Sequence, residues 1–529
     1  MEKITFGKNI LENLTTAMYS DSRVMFREYV QNSCDAIRSA ANVGIIDRKN
    51  GKIDIEINTI ERTIEITDNG RGISRMDFER VLGDIANSDK QRGEDMGFRG
   101  IGRLCGLAYC SELRFISTSY GETDTCAMIW DAGKMRALLD DDKKYSAEYV
   151  IDEIRRVEIV ENTETKESHF FKVIMTGIRP ESDELLDLSD IKEYLSFVAP
   201  SPYTTSFLFY KQIYDFAKSI SENIDEYFIF INGEQIFKNY ISRTYTKEGK
   251  IKDDIKSLEF TEFKSEKGER LAWMWYGISS FDGSIPECGH NPHRGLRIRK
   301  ANIQIDNGVK IRELHQEKHG NDYFIGEIMA THKDLTPNAR RDYFNESPVR
   351  AEFEKTLRTY FHQTLYKLYR TASNTRSAYK SVEEYHTAVQ DFKEKESIGF
   401  SGTVERQQVE VELEKKREAK EKAERKIQKF NQEAADGRDL LIERVRSTVR
   451  ERIVSTQLSE TPFSKASETT QYNGNRGSKP KYLANELSYY TKETRKVVSR
   501  IYDIIQQKAP EIATELIAQI QDALKSRKD

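Results

Sequence analysis

Three polar residues near the start of the chain share one face of a predicted helix. Glu28, Asn32 and Asp35 occur within FREYVQNSCDAIRSA, and their spacing places them together on an α-helix. A carboxylate one helical turn from an amide can act as general base on a water molecule, while the amide oxygen binds Mg²⁺, which prefers oxygen ligands. The pattern therefore indicates Glu28 as a general base and Asn32 as a Mg²⁺ ligand. The alternative is an ordinary solvated helix face.

A second motif, ITDNGRGIS, lies at the end of a predicted strand. Asp68 ends the strand, and Gly70 and Gly72 come directly after it. The carboxylate could accept a hydrogen bond from an exocyclic amine, and the glycines would let a flat ring approach the backbone closely. The alternative is a simple tight turn, because D-N-G is a common turn sequence.

The third motif, MGFRGIGRLCG, is rich in glycine and precedes an apolar helix start. Closely spaced glycines, here Gly97, Gly100 and Gly102, can expose backbone N–H groups to a phosphate. The motif is not a Walker A sequence, because no G-K-[ST] follows, and no parallel βαβ unit surrounds it as in a dinucleotide-binding fold. A flexible loop is the alternative.

The elements that must position these motifs can be predicted from periodicity. Apolar residues three and four apart predict two helices within residues 1–40, separated at Ser20–Asp21–Ser22. Alternating apolar and polar residues predict strands at KIDIEINTI and TIEITDNG, and strands resume after the glycine-rich stretch. A helical start followed by strands around glycine-rich loops predicts an α+β layer sandwich and not a doubly wound sheet.

The length of 529 residues suggests about three or four domains. We predict a first domain over residues 1–210, an α+β middle domain over 211–380 and a helical region over 381–529. Within the last region, residues 404–452 have the composition and spacing of a long charged helix of coiled-coil type. Residues 456–480 are polar and rich in Gly, Ser and Thr, which predicts a linker before terminal helices.

Composition limits the possible environments of the chain. The net charge of −4 removes global basicity as an argument for nucleic-acid binding, although a local basic patch stays possible. No apolar run approaches the roughly 18–20 residues that span a bilayer, and the start lacks a signal-peptide layout. Five cysteines, an odd number, point to a reducing compartment. We expect a cytoplasmic protein without membrane partners.

The order and spacing of the three motifs resemble the GHKL superfamily of ATPases, which includes gyrase, heat shock protein 90, histidine kinases and MutL. The segments ILENLTTAMYSDSRVMFREYVQNSCDAIRS and LGDIANSDKQRG are most similar to the opening helices and the ATP-lid start of heat-shock-protein-90-like ATPases. The D-N-G-x-G and G-F-R-G forms resemble MORC and MutL proteins. The resemblance implies a Bergerat-type ATP-binding α/β sandwich with ATP and Mg²⁺ as ligands.

By this resemblance, Glu28 would activate water, Asn32 would ligate Mg²⁺, and Asp68 would read adenine with Gly72 against the base. The other residues that the resemblance implies in nucleotide binding are Asp35, Gly70, Ser88, Gly97, Gly100 and Gly102, several of them in a lid over residues 84–103. Relatives also carry a Thr that supports the adenine-reading Asp. In the matching strand, SHFFKVIMTGI, no G-T pair stands before Val173, so this role has no residue.

A segment of the middle domain, DLTPNARRDYF, resembles the loop that supplies a catalytic arginine in the heat-shock-protein-90 family. The resemblance places the arginine on Arg341, with Asn338 as its loop partner and Arg340 as the adjacent alternative. Such a cation offsets charge that develops on the transferred phosphoryl group. Without the first domain, two loop arginines would be read as surface charges.

These features together predict a Mg²⁺-dependent ATPase that couples ATP binding and hydrolysis to lid closure and to a conformational change of a homodimer, formed at least with ATP bound. Its expected action is chaperone-like remodelling of a protein client or partner subunit. The alternative is a MORC- or MutL-like ATPase acting on nucleic acid, for example in bacterial anti-phage defence. A scaffold that binds ATP without hydrolysis is a third hypothesis.

Overall fold

The structure, a computed structural model, contains two compact units. It describes residues 6–15, 21–84, 102–306, 308–435, 439–460 and 480–526. The first unit comprises Met1–Ser279 and Gly283–Tyr366, and the second comprises Ser280–Asp282 and Lys367–Asp529. The predicted α+β fold class, with a helical C-terminal region, is confirmed.

An eight-stranded sheet forms the centre of the N-terminal part of the first unit. Its strands are β1 (Lys52–Asn58), β2 (Thr63–Asp68), β3 (Glu112–Thr118), β4 (Thr125–Asp131), β5 (Arg155–Val160), β6 (Phe170–Thr176), β7 (Phe228–Ile231) and β8 (Glu234–Gln235). The strand order is β5-β4-β3-β6-β2-β1-β7-β8. All pairs are antiparallel except β1 with β7. The predicted boundary at residue 210 therefore falls before a strand that completes this sheet.

Seven α-helices of the described residues accompany this sheet. They are α1 (Asn9–Thr15), α2 (Val24–Asn42), α3 (Arg75–Gly83), α4 (Ala132–Asp140), α5 (Ala147–Ile154), α6 (Leu188–Val198) and α7 (Tyr210–Ser219). The apolar face of α2, including Phe26 and Val30, packs in one core with Ile55 of β1 and Ile66 of β2. Each such side chain contributes about 1.5–3 kcal/mol on burial. This packing fixes α2 against the sheet and leaves its polar face to build a site.

The middle part of the first unit contains a two-stranded and a five-stranded sheet. Its strands are β9 (Arg243–Tyr245), β10 (Ile251–Asp254), β11 (Ser257–Lys264), β12 (Arg270–Ile278), β13 (Gly295–Lys300), β14 (Ile303–Ile305) and β15 (Ile325–Ala330). The larger sheet has the order β11-β12-β15-β13-β14. The two helices here are α8 (Val309–Leu314) and α9 (Pro348–Tyr360). Strand β12 is buried on both faces, and its Trp273 and Trp275 anchor a second core.

The second unit is helical. Its helices are α10 (Tyr366–Ile398), α11 (Thr403–Ala435), α12 (Leu440–Glu460), α13 (Lys492–Lys508) and α14 (Ala513–Lys525). The segment predicted as one helix, 404–452, thus contains parts of two helices. Residues 456–460 of the predicted linker are helical, and 461–479 lie outside the described residues. In the part of the chain that the structure describes, no helix is long and apolar enough to span a bilayer.

Candidate active site

The polar face of α2 is buried. Glu28 is 7% exposed and Asp35 is 4% exposed, while Asn32 between them is half-buried. Burying a carboxylate is costly unless it is paired, and each acid has a cationic partner. Asp35 accepts a hydrogen bond of 2.7 Å from Arg38 Nη2 on the same helix. This face is therefore a built polar site and not a solvated helix surface.

Two guanidinium groups converge on one oxygen of Glu28. Arg27 Nη2 lies 3.2 Å from Glu28 Oε1, and Arg341 Nε lies 3.4 Å from the same atom. All three side chains are at most 10% exposed, so the charges interact with little solvent screening. The structure thus brings the predicted base and the predicted arginine into direct contact within the first unit.

The other carboxylate oxygen of Glu28 faces Gly102. A Cβ atom at Gly102 would lie 2.7 Å from Glu28 Oε2, closer than side chains tolerate. A side chain at position 102 would therefore force the Glu28 carboxylate or the backbone to shift. Of the predicted lid residues, Ser88, Gly97 and Gly100 lie outside the described residues.

The loop that carries Arg341 holds it in an unusual backbone conformation. Arg341 has φ +55°, a left-handed value that costs energy for a residue with a Cβ atom. Its N–H donates to the Asn338 carbonyl at 3.2 Å, and its own carbonyl accepts from the Asp306 N–H at 3.3 Å. Asn338 in turn donates its N–H to the Tyr343 carbonyl at 2.8 Å. Asn338 therefore supports the loop without contacting Glu28 itself.

The two arginines of this loop have different environments. Arg341 is 8% exposed, whereas Arg340 is exposed to solvent. The Arg340 carbonyl, however, accepts a hydrogen bond of 3.1 Å from Arg27 Nη2. Of the two candidates from the sequence, Arg341 is the one whose side chain reaches Glu28. Arg27 was not predicted, because it is adjacent to Glu28 in sequence and carries no motif signal.

The second motif forms a tight loop at the end of β2. Asp68 is 2% exposed, and its Oδ1 accepts the Gly70 N–H at 2.9 Å. A Cβ atom at Gly70 would lie 2.6 Å from the Ala36 Cβ on α2. Gly72 has φ +67°, and a Cβ there would lie 2.0 Å from the Thr118 carbonyl oxygen. Both glycines are therefore needed, because the backbone at Gly70 lies against Ala36 of α2 and the backbone at Gly72 lies against Thr118. This arrangement brings the Asp68 loop against α2.

The strand beside Asp68 carries an aromatic residue at the same level. Asp68 pairs with Phe171, and Phe171 pairs with Ser117 of the next strand, so all three side chains lie on one face of the sheet. The Phe171 ring stacks on Phe115 at a centroid distance of 5.8 Å. On this strand, the residue that pairs with Asp68 therefore carries an aromatic ring and no hydroxyl.

Ser117 ties the glycine-rich loop to the sheet. Its hydroxyl accepts the Ile73 N–H at 2.9 Å and donates to the Phe170 carbonyl at 2.8 Å. Both bonds are local to the Asp68 loop, so Ser117 positions it. No motif pointed to Ser117, because its role depends on strand register.

The donor set limits how a metal ion could be held. Among the described residues, no group of three His, Cys, Asp or Glu side chains could bind a metal. Mg²⁺ commonly takes one or two protein oxygens and completes its shell with water and substrate phosphates. The amide oxygen of Asn32, one turn from Glu28, is the protein ligand that this arrangement offers.

The chain is similar to known proteins over the region that carries the three motifs. Residues 19–162 match the family described as histidine kinase-, DNA gyrase B-, and HSP90-like ATPase. The chain is also similar to curated proteins named chaperone protein HtpG. The protein from Orientia tsutsugamushi is 24% identical over 377 residues, covering 64% of this chain and 51% of that protein. The protein from Vesicomyosocius okutanii is 32% identical over 89 residues, which cover 16% of this chain and 14% of that protein. The protein from Streptomyces coelicolor is 28% identical over 138 residues, which cover 22% of this chain and 22% of that protein.

The matched region contains α2, the Asp68 loop and Gly102, so these elements lie in the part of the chain that is similar to the GHKL superfamily. The similarity to heat-shock-protein-90-like chaperones extends beyond that region, because the alignment of 377 residues is longer than the family match. The alignment with the Orientia tsutsugamushi protein spans about half the length of that protein.

Proposed function

We propose that this protein hydrolyses ATP with Mg²⁺ at the site between α2 and the Arg341 loop. The observation that carries the proposal is the contact of 3.4 Å between Arg341 Nε and Glu28 Oε1. A base and a preorganised cation at one point are what phosphoryl transfer to water requires. The GHKL family match supports the same reaction.

Glu28 acts as the general base in this proposal. It takes a proton from the attacking water while the γ-phosphoryl group transfers to the water oxygen and ADP leaves. Arg341 stabilises the negative charge that spreads over the phosphoryl oxygens. Asn32 would hold Mg²⁺, whose contribution is to neutralise phosphate charge.

The ion pair also suggests how the base becomes available. Arg341 and Arg27 both pair with Glu28 in a poorly solvated site. A γ-phosphate carries more negative charge and competes for the Arg341 guanidinium. Glu28 then loses one of its two cationic partners beside the substrate.

Base recognition rests on Asp68 in this proposal. The carboxylate accepts a hydrogen bond from the exocyclic amine of adenine, and the glycines at 70 and 72 leave room for the ring. Phe171 lies beside Asp68 and offers an aromatic surface. Guanine, with a carbonyl oxygen in place of the amine, would face the carboxylate unfavourably.

We further propose that ATP turnover drives lid closure and a conformational change in a homodimer that acts on a protein client. The named relatives are chaperones, which supports this reading over nucleic-acid remodelling. ATP-dependent suppression of the aggregation of an unfolded protein would support the action on a protein client. Retention on DNA with a steep salt dependence would instead favour the nucleic-acid alternative.

The test of the ATPase compares phosphate release by the wild-type protein and by Glu28→Gln. The variant keeps the shape of the side chain and cannot act as base, so turnover should fall at least about 10²-fold while ATP still binds. Glu12→Gln, a change of the same type outside the site, should behave like wild type. Equal turnover for Glu28→Gln and wild type would refute the assignment.

A further inference from the structure

The hairpin formed by β13 and β14 connects the N-terminal part of the first unit, which carries Glu28, to the loop that carries Arg341. Both strands belong to the five-stranded sheet. Ile303, at the start of β14, is nevertheless buried in the core of the eight-stranded sheet, and Ala301 packs against that core. The tip of the hairpin is therefore seated in the N-terminal part of the unit, while its base lies in the middle part.

Both the amide oxygen and the amide nitrogen of Asn302, at this tip, form hydrogen bonds. Its Oδ1 accepts from Lys238 Nζ, and its Nδ2 donates to the Asp225 carbonyl at 2.5 Å. The Asn302 carbonyl accepts from Arg299 Nη1 at 2.9 Å. The residue is 4% exposed and has φ +60°. A buried amide that is bonded at both ends holds the turn in one place.

Lys238 and Arg299 are themselves fixed by a buried acid. Glu327 accepts from Arg299 Nε and from Lys238 Nζ, the latter at 3.3 Å, and all three side chains are 0% exposed. The Tyr240 hydroxyl donates to Glu327 Oε1 at 2.8 Å. The groups that hold Asn302 thus have little freedom to move.

The other end of the hairpin holds Arg341. Asp306 follows β14 directly, and its N–H donates to the Arg341 carbonyl at 3.3 Å. The Asp306 carboxylate accepts the N–H groups of Ile311 at 2.9 Å and Lys310 at 3.2 Å, which fixes Asp306 in turn. Only the short strand β14 separates this anchor from Asn302.

We infer that Asn302 is a positioning residue for Arg341. It fixes the hairpin tip on the N-terminal part of the first unit, which carries Glu28. Through β14 and Asp306, the fixed tip sets where the Arg341 backbone lies. The expected effect on turnover rests on the proposed ATPase function, whereas the effect on the position of the Arg341 backbone does not. A displacement of about 1 Å at a catalytic group can cost about 10²-fold in rate.

Asn302→Gly is the sharpest test, because glycine accepts the left-handed φ and removes only the side-chain bonds. Turnover should fall about tenfold or more, while ATP affinity stays within about twofold. Ala301→Gly is the matched control, since Ala301 has φ +47° and no polar side chain, and it should retain wild-type turnover. Asn302→Asp keeps the acceptor for Lys238 and should give an intermediate loss.

A double variant separates positioning from general damage. If Asn302 acts through Arg341, adding Asn302→Gly to Arg341→Ala should lower turnover by less than about twofold further. Multiplication of the two single losses would overturn the inference. Should Asn302→Gly fail to fold by circular dichroism, the same cycle is run with Asn302→Asp.

Hydrogen exchange provides a readout that does not depend on turnover. In Asn302→Gly, the peptides that contain Asp306 and Arg341 should exchange faster than in wild type, and in Ala301→Gly they should not. Unchanged exchange in a folded Asn302→Gly protein overturns the positioning role. The wild-type protein could lack ATPase activity while Asn302→Gly still exchanges faster than wild type in these peptides. That result would refute the proposed function and leave the positioning role standing.

Discussion

The Arg27 guanidinium donates a hydrogen bond of 3.1 Å to the carbonyl of Arg340, 313 residues further along the chain. The same nitrogen lies 3.2 Å from Glu28 Oε1. One side chain on α2 therefore contacts both the proposed base and the backbone of the loop that supplies the proposed arginine. Arg27 links two parts of the site that the sequence presents separately.

Arg27→Ala should lower ATP turnover about tenfold, because it removes a bond to the Arg340–Arg341 loop and a cation beside Glu28. Arg27→Lys keeps the charge, yet a single ammonium group cannot reproduce the guanidinium geometry, so its turnover should be intermediate. Phosphate release at saturating ATP measures both. Turnover in Arg27→Ala equal to wild type would show that the contact is incidental.

Arg341→Ala and Arg340→Ala form a matched pair on neighbouring residues. Only Arg341 reaches Glu28 with its side chain, whereas Arg340 contributes a backbone carbonyl that the alanine variant keeps. Arg341→Ala should therefore lower turnover by about 10³-fold with ATP binding nearly unchanged, and Arg340→Ala should stay near wild type. Steady-state kinetics and calorimetric titration with ATP check the two expectations. Similar losses in both variants would contradict them.

Gly102→Ala should disturb the base directly. The added Cβ would lie 2.7 Å from Glu28 Oε2, so either the carboxylate or the backbone must move. We expect turnover to fall about 10-fold or more. Gly289→Ala is the control, because a Cβ there meets no heavy atom within 4 Å and the residue has no left-handed φ. A Gly102→Ala protein with full activity would contradict the expectation that turnover depends on the exact position of the Glu28 carboxylate.

Asp68→Asn tests base recognition with little change in shape. The amide oxygen can still accept the Gly70 N–H, so the loop should persist and the melting temperature should change little. The variant loses the negative charge that accepts from the adenine amine, and ATP affinity should fall about tenfold or more. Isothermal titration of ATP measures this loss. Undiminished affinity would mean that the adenine ring of ATP does not bind at Asp68.

Two buried histidines predict loss of stability in acid. Burial lowers the pKa of His315 to about 3 and that of His293 to about 4, so both are neutral in the folded state well below their usual range near 6.5. As pH falls below about 6.5, the unfolded chain takes up these protons first, and the free energy of unfolding decreases until the folded-state pKa values are reached. Between pH 7 and 4.5 each histidine should cost about 2–3 kcal/mol.

The acid prediction can be checked by denaturant unfolding at pH 7 and pH 4.5. His315→Gln should remove part of the pH dependence, because glutamine does not titrate. The exposed His290 provides the control, and His290→Gln should leave the pH dependence unchanged. An identical acid loss in all three proteins would exclude His315 as a source.

Much of the fold could be predicted from local patterns. Helix α1 ends at Thr15 and α2 begins at Val24, with Asp21 and Ser22 of the predicted break between them, and the alternating Ile residues of KIDIEINTI form β1 with one face in the core. These predictions hold because helical and strand periodicities reflect which side of an element is buried. Element ends were less predictable. Helix α12 continues to Glu460, since nothing in its composition there stops a helix.

The amino-acid sequence by itself determined which residue types are available for chemistry, because Glu28, Asn32 and Asp68 lie in local motifs whose spacing follows from helix and strand geometry. Only the tertiary structure decided that Arg341 and not Arg340 meets Glu28, that Arg27 joins them, and that Phe171 lies beside Asp68. These relationships depend on strand register and on packing between distant segments. Local periodicity carries no information about either one.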